Sequence, residues 1–237
     1  LKTTKLIFLT AALSFQCSIA QFAKIVDQDG YVNLRKQADT KSSIVGKINS
    51  DEIVYIFSPE DGNKNWLNTD YTDKNGETLS GYIHSSRIQY IESYESVPAV
   101  SVSENKAVFN SKKMTVTIES EPFNYKENKK YFSTTQYNGY KVEDQFKGQQ
   151  IWGTDGTIPQ THYKSISVNM GGKTLQVPQK ELENLFNINT EFAVCYFDSK
   201  SETLYISMVN SDGAGGYAVL FRIEKGEYKG KTVIMPF

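Results

Sequence analysis

Apolar and polar residues alternate in short runs along most of this chain. In Tyr31-Val32-Asn33-Leu34-Arg35, Val32 and Leu34 fall on one face and Tyr31, Asn33 and Arg35 on the other, the two-residue period of a half-buried strand. Eight polar or small residues interrupt the pattern before it resumes at Ile44, Val45 and Ile48. The unbroken apolar run Ile53-Val54-Tyr55-Ile56-Phe57 predicts a buried strand, Trp66-Leu67-Asn68 begins another, and Gly81-Tyr82-Ile83-His84 closes the series. Asn75-Gly76 supplies the turn residues of a hairpin. Five short strands are therefore expected in residues 27–91, enough for a small barrel.

The same period returns in residues 107–237. Met114-Thr115-Val116-Thr117-Ile118 alternates, and Asn138-Gly139 and Gly171-Gly172 mark two hairpins. Further strands are expected at 192–197, 203–209, 217–223 and 231–235. Pro178 opens a stretch with Leu182, Leu185 and Phe186 at helical spacing, which predicts one short helix over 178–186. Between the two regions, residues 92–106 are rich in Ser and Glu and contain Pro98, the composition of a linker. The expected fold is mainly β, a small barrel followed by a larger antiparallel β-rich domain (sandwich or barrel) with one short helix.

The order of "GYVNLRKQADTKSSIVGKI", "IVYIF", "NW" and "GYIHSSRI" over residues 30–91 resembles the bacterial SH3-like domain of exported, wall-associated proteins. The shared elements are an Asn-Leu-Arg triplet in the first strand, a Ser/Thr-rich loop, an Ile-Val-Gly step and a closing Gly-aromatic-Ile-His run. This chain departs in the loop after Arg35, which lacks the usual Gly-Pro, and in Tyr82, where Trp is commoner. The resemblance implies an SH3-like β-barrel that recognises peptidoglycan peptide or a protein partner. Asn33, Arg35, Trp66 and Tyr82 are the ligand-binding candidates, and Tyr31, Tyr55 and Tyr71 are further aromatics that could line a groove.

Composition narrows the setting. Lys2 and Lys5 precede the apolar run 6–13, and Ser18-Ile19-Ala20 ends in small residues, the layout of a secretory signal over residues 1–20 with cleavage before Gln21. Lipidation at Cys17 is the rival, opposed by the bulky Phe15 and Gln16 before it. An exported location, periplasmic or extracellular, follows, and no segment is long and apolar enough to predict a membrane span. Removing residues 1–20 takes two of the 26 basic residues and none of the 27 acidic ones, which leaves 24 against 27 and a net charge of −3. That balance argues against nucleic acid as a partner. With Cys17 gone, Cys195 is the remaining thiol, and its apolar neighbours suit a buried small hydrophobe.

Motifs for catalysis are incomplete. The glycine-rich loop 210–216 leads into the apolar run 217–221, so it does not fit a phosphate loop, which needs a helix next. Asp73-Lys74-Asn75-Gly76 would place Tyr71 and Tyr82 at the ends of a calcium loop, where neither can coordinate the ion as a carboxylate does. The two histidines, His84 and His162, fall in different regions without close His or Cys partners, so neither metal nor cofactor is expected. The glycine loop and Trp152-Gly153-Thr154-Asp155-Gly156 share a hydroxyl-Asp-Gly order, which makes Trp152, Asp155 and Asp212 a second candidate site. The leading expectation is a non-catalytic exported binding protein. The alternatives are an envelope hydrolase using carboxylates of the C-terminal domain, or an inhibitor or immunity protein against a secreted toxin.

Overall fold

The computed structural model describes residues 21–57, 65–73 and 75–236. The expected signal segment 1–20, with Cys17, lies outside them. The chain is mainly β and almost wholly antiparallel.

The N-terminal region contains β1 (Gln21–Ile25), β2 (Tyr31–Arg35), β3 (Ile44–Asn49), β4 (Ile53–Ile56), β5 (Trp66–Thr72), β6 (Thr78–His84) and β7 (Ile88–Tyr90). They form one sheet in the order β3-β2-β6-β5-β4-β1-β7, with β3 and β7 at its edges. The five expected strands are present, and β1 and β7 extend the sheet on one side. A small barrel is expected here; among the described residues the sheet does not close on itself, with β3 and β7 unpaired to each other and β2 joined to β6 at Arg35 and Tyr82. Ile25, Leu34, Ile48, Val54 and Ile83 are fully buried in its core. Alternation in β2 is as expected, with Val32 and Leu34 buried and their neighbours partly exposed.

Residues 92–106 are not a bare linker. Within them β8 (Glu95–Ser96) pairs with a strand of the C-terminal region, Val97 is buried, and β9 (Ala99–Ser103) forms a hairpin with β10 (Lys106–Asn110). Composition misled because β9, Ala-Val-Ser-Val-Ser, is an exposed edge strand that spends polar residues on solvent.

The chain continues through β11 (Met114–Pro122), the one-turn helix α1 (Tyr125–Asn128), β12 (Phe132–Tyr137), β13 (Tyr140–Phe146), β14 (Gln149–Gln150), β15 (Thr161–Met170) and β16 (Lys173–Gln176). It ends with β17 (Val194–Asp198), β18 (Thr203–Asn210), β19 (Tyr217–Glu224) and β20 (Glu227–Ile234). One five-stranded sheet runs β16-β15-β11-β10-β9 and a second runs β20-β19-β18-β17-β8, with β12-β13-β14 as a small third sheet. The two larger sheets share one core, with Val116, Ile118 and Ile166 from the first and Leu204, Ile206 and Phe221 from the second. This is a sandwich. The expected hairpins are tight two-residue turns: Asn138-Gly139 and Gly171-Gly172 all have the positive φ such turns require.

The helix expected over 178–186 is absent. Only a 3-10 turn at Gln179–Glu181 forms, after which Leu182, Leu185 and Phe186 are buried with almost no exposure. Their spacing reflects burial on several sides. Short local turns, such as Leu182 N–H to the Gln179 carbonyl and Leu185 N–H to the Leu182 carbonyl, give way to pairing with Trp152, whose N–H donates to the Asn184 carbonyl and whose carbonyl accepts from Phe186 N–H, both at 3.0 Å.

A seam joins the N-terminal sheet to the outer face of the β17–β20 sheet. Phe22, Ile53, Tyr55 and Ile91 pack there against Tyr205, Ala218, Leu220 and Ile234. Burial on both faces explains the nearly continuous apolar run of β19, Tyr-Ala-Val-Leu-Phe. The Lys24 ammonium crosses the seam to Asp198 Oδ2 at 3.3 Å and lies over the Tyr94 ring, 5.4 Å from its centroid. Tyr94 in turn stacks on Tyr205 at 5.5 Å.

Candidate functional site

Strands β2, β6 and β5 are neighbours, so their outward residues share one surface. Trp66 stands opposite His84, and Asn68 and Arg35 stand on either side of Tyr82. Gly81 makes this possible: a Cβ there would sit 2.5 Å from the Arg35 carbonyl and 3.0 Å from the Leu34 side chain. A residue with a side chain would push β2 away from β6. The motif glycine therefore builds the face, and Tyr82 beside it is half-buried on it.

On this face a cleft of about 380 Å³ is lined by Asn33, Arg35 and Trp66, three of the four candidates. Tyr82 shares the face without lining the cleft. Of the other aromatics, Tyr31 lines it, whereas Tyr55 and Tyr71 are core residues at 3% and 7% exposure. Burial raises both phenols, Tyr55 to about 12. Asp27, His84 and Arg87 complete the wall, and of these only His84 stood out in the sequence, as a strand-end residue. Asp27 and Arg87 lie 60 residues apart, so no local pattern joins them.

Each polar group in the cleft has a distinct role. Arg87 Nη1 donates to Asp27 Oδ2 at 2.6 Å, which neutralises a carboxylate whose side chain is only 4% exposed. Arg35 Nη1 donates to the Ser42 carbonyl at 2.8 Å and so ties down the loop 36–43. Ser86 N–H donates to His84 Nδ1 at 3.3 Å, so the neutral ring carries its proton on Nε2 as a donor. The indole of Trp66 meets the His84 ring edge to face at 5.5 Å. The Asn33 backbone pairs with Lys47 of β3, while its side chain makes no hydrogen bond to any other described residue. The cleft offers an amide, hydrogen-bond donors and an aromatic wall.

The second candidate set divides. The two glycine loops do meet: Ser211 Oγ donates to the Gly153 carbonyl at 2.8 Å, and a Cβ on Gly215 would touch Asp155 at 3.2 Å. Trp152 lines neither the cleft of the N-terminal sheet nor the polar cleft beside Asp212. It packs on the sandwich core with its ring 6.2 Å from that of Tyr217. Gly153, at φ +95°, lies too close to the Phe186 carbonyl and the Tyr217 ring to carry a side chain. The shared motif thus closes the sandwich. Asp155 and Asp212 are both solvent-exposed. Asp212 borders a polar cleft of about 500 Å³ with Gln160, Asn187 and Glu191, and Asp155 does not line it.

Two further features bear on chemistry. Cys195 is a free thiol at 1% exposure whose pKa burial pushes well up, the opposite of an activated nucleophile. Among the described residues, no group of three or more His, Cys, Asp or Glu could hold a metal ion, and no helix is long and apolar enough to cross a membrane. At the seam, an apolar groove of about 350 Å³ runs between Phe22 and Tyr55 on one side and Val194 and Met208 on the other, with Phe192, 64% exposed, at its rim.

Searches against family models, curated proteins and solved structures each returned no match for this chain.

Proposed function

We propose that the chain is an exported, non-catalytic binding protein of the bacterial envelope, whose N-terminal sheet recognises a short peptide, either a peptidoglycan stem peptide or a segment of a partner protein. The observation that carries this reading is the convergence of Asn33, Trp66, His84 and Arg87 on one cleft. A peptide presents carbonyls and a carboxylate to the donors, a backbone N–H to the Asn33 amide, and apolar side chains to the indole. Because Asp27 already balances Arg87, recognition rests on directed hydrogen bonds and stacking more than on net charge. The SH3-like resemblance over residues 30–91 points to the same ligand class. The hydrolase alternative has less support, since its two carboxylates are exposed and do not share a cleft.

Titration calorimetry with soluble stem peptide and sedimentation with purified sacculi test the reading. Asn33→Ala should weaken binding by about 1–3 kcal/mol, roughly tenfold or more, because the partly exposed side chain makes no hydrogen bond to another described residue and can bond a ligand. Arg35→Ala should act through the loop 36–43, and Tyr82→Ala should have the smaller effect. Binding unchanged in Asn33→Ala and Arg87→Ala, with the circular dichroism of folded protein, would refute the cleft as the site. Hydrolysed fragments released from the sacculi would revive the enzyme reading.

A further inference from the structure

One end of the sandwich carries a feature that the peptide cleft does not explain. The residues before β11, the β15–β16 turn, the end of β17 and the β19–β20 turn meet there around a cleft of about 780 Å³, roughly twice the volume of the one on the N-terminal sheet. Its floor is apolar, made by Met170, Leu175 and Phe197 where the two sheets part. Its rim carries Lys112, Lys113, Lys173 and Lys225 from three separate turns.

The charges are unbalanced. Lys112, Lys113 and Lys173 form no ion pair with any other described residue, and Lys225 reaches only Glu224, at 3.8 Å. Lys113 Nζ lies 5.0 Å from the centre of the Phe197 ring, which aligns it with the floor. Of the two acids on the rim, Glu227 is held by Lys229 at 2.6 Å, which leaves Glu202 against four lysines. The chain as a whole has a slight excess of acid, −1. Four cations around a cleft floored by the partly buried Met170 and Leu175 and the buried Phe197 are therefore a local arrangement, complementary to a ligand that joins an anionic head to an apolar body.

We propose that this end of the sandwich binds a free anionic amphipath, a single acyl chain ending in a carboxylate or phosphate. The head is held by Lys112 and Lys173, and the chain lies along Met170, Leu175 and Phe197. The cleft volume is within the range of small-molecule sites, so the ligand is a monomer and not a bilayer surface.

Decanoate and decyl phosphate, titrated into the full chain below their micellar concentrations, test this directly. Both should bind with one-to-one stoichiometry, and added salt should weaken both by screening the lysines. Lys112→Glu with Lys173→Glu should lower affinity about tenfold or more. These side chains are exposed, so the fold should persist. Phe192→Ala, at the rim of the apolar groove on the seam, should leave affinity unchanged. Equal binding of decanol, equal binding of inorganic phosphate alone, or no loss in the double lysine variant would overturn the proposal. So would loss in Phe192→Ala, which would move the site to the seam, or binding only to phosphatidylglycerol vesicles, which would make the ligand a membrane.

Discussion

The N-terminal sheet and the sandwich bury their apolar residues in different ways, and their clefts follow from the difference. The first region is one sheet that is buried on both faces only at β1 and β4, where the seam covers it, so outward residues of β2 at two-residue spacing, such as Asn33 and Arg35, are left to build a cleft across neighbouring strands. In the second, the two sheets turn their inner faces to a common core, and the seam covers part of one outer face as well. Its clefts are left to the ends, where turns distant in sequence converge. Clefts on strand faces inherit a periodic pattern, and clefts at sheet ends do not.

The largest expected effect tests whether the two regions fold as one unit. Lys24 and Asp198 are nearly buried, with side-chain exposures of 10% and 8%, and they join β1 to the end of β17 across the seam. Asp198→Ala leaves the ammonium with only the exposed Asp51 carboxylate, 3.7 Å away, and also removes the Asp198 oxygen that accepts from the Ser201 hydroxyl. A loss of about 3–5 kcal/mol is expected for breaking a buried pair from one side. Urea denaturation should show it in a single transition. Two separate transitions, with only one displaced, would mean that the seam is a contact between independent domains and that the comparison is one of two proteins in a chain.

A smaller effect is expected from Gly81→Ala, which separates the two regions functionally. The added methyl meets the Arg35 carbonyl and Leu34, so β2 must move from β6 at an overpacking cost of about 1–3 kcal/mol. Stem-peptide binding should fall with the displacement of Asn33, while decanoate binding at the far end of the sandwich stays as it was. If peptide binding survives at full strength, the cleft does not depend on the β2–β6 contact, and its assignment to that face is wrong.

The sequence made the strand faces legible and the chain's returns illegible. Alternation sets Asn33 and Arg35 on the face opposite Val32 and Leu34, and the SH3-like resemblance is what made them, with Trp66, ligand candidates. Asp27 and Arg87 were missed because their contact depends on β7 returning beside β1, and β1 itself lay before the expected start of the domain. The hairpin of Lys225 and Gly226 hid the first half of β20, since Lys-Gly is a weaker turn signal than Asn-Gly or Gly-Gly. The helix expected over 178–186 was a case of one pattern with two causes: Leu182, Leu185 and Phe186 are buried at helical spacing while their backbone pairs with Trp152. The four lysines around Phe197 come from segments that nothing in the sequence brings together.

The smallest expected effect concerns the two histidines, one in each region. His84 lines the open cleft, whereas His162 is mostly buried in the sandwich, edge-on to Phe123 at 5.3 Å and with Nε2 3.5 Å from Glu121 Oε1. Burial lowers the pKa of His162 below its ordinary 6.5, and Lys147 adds to this while Glu121 opposes it. Between the folded and unfolded values the unfolded chain binds the extra proton, so stability rises with pH across that interval. The contribution is fully present above the unfolded value and is lost as pH falls from about 6.5 through the folded value. His162→Gln should remove that dependence. Thermal unfolding of both proteins at about pH 7.5 and about pH 5 should therefore show a larger acid loss in the wild type than in the variant, on top of the decline that carboxylate protonation causes in both. Parallel losses would mean that the sandwich buries its histidine without holding it neutral, and that in this respect the buried and the open region behave alike.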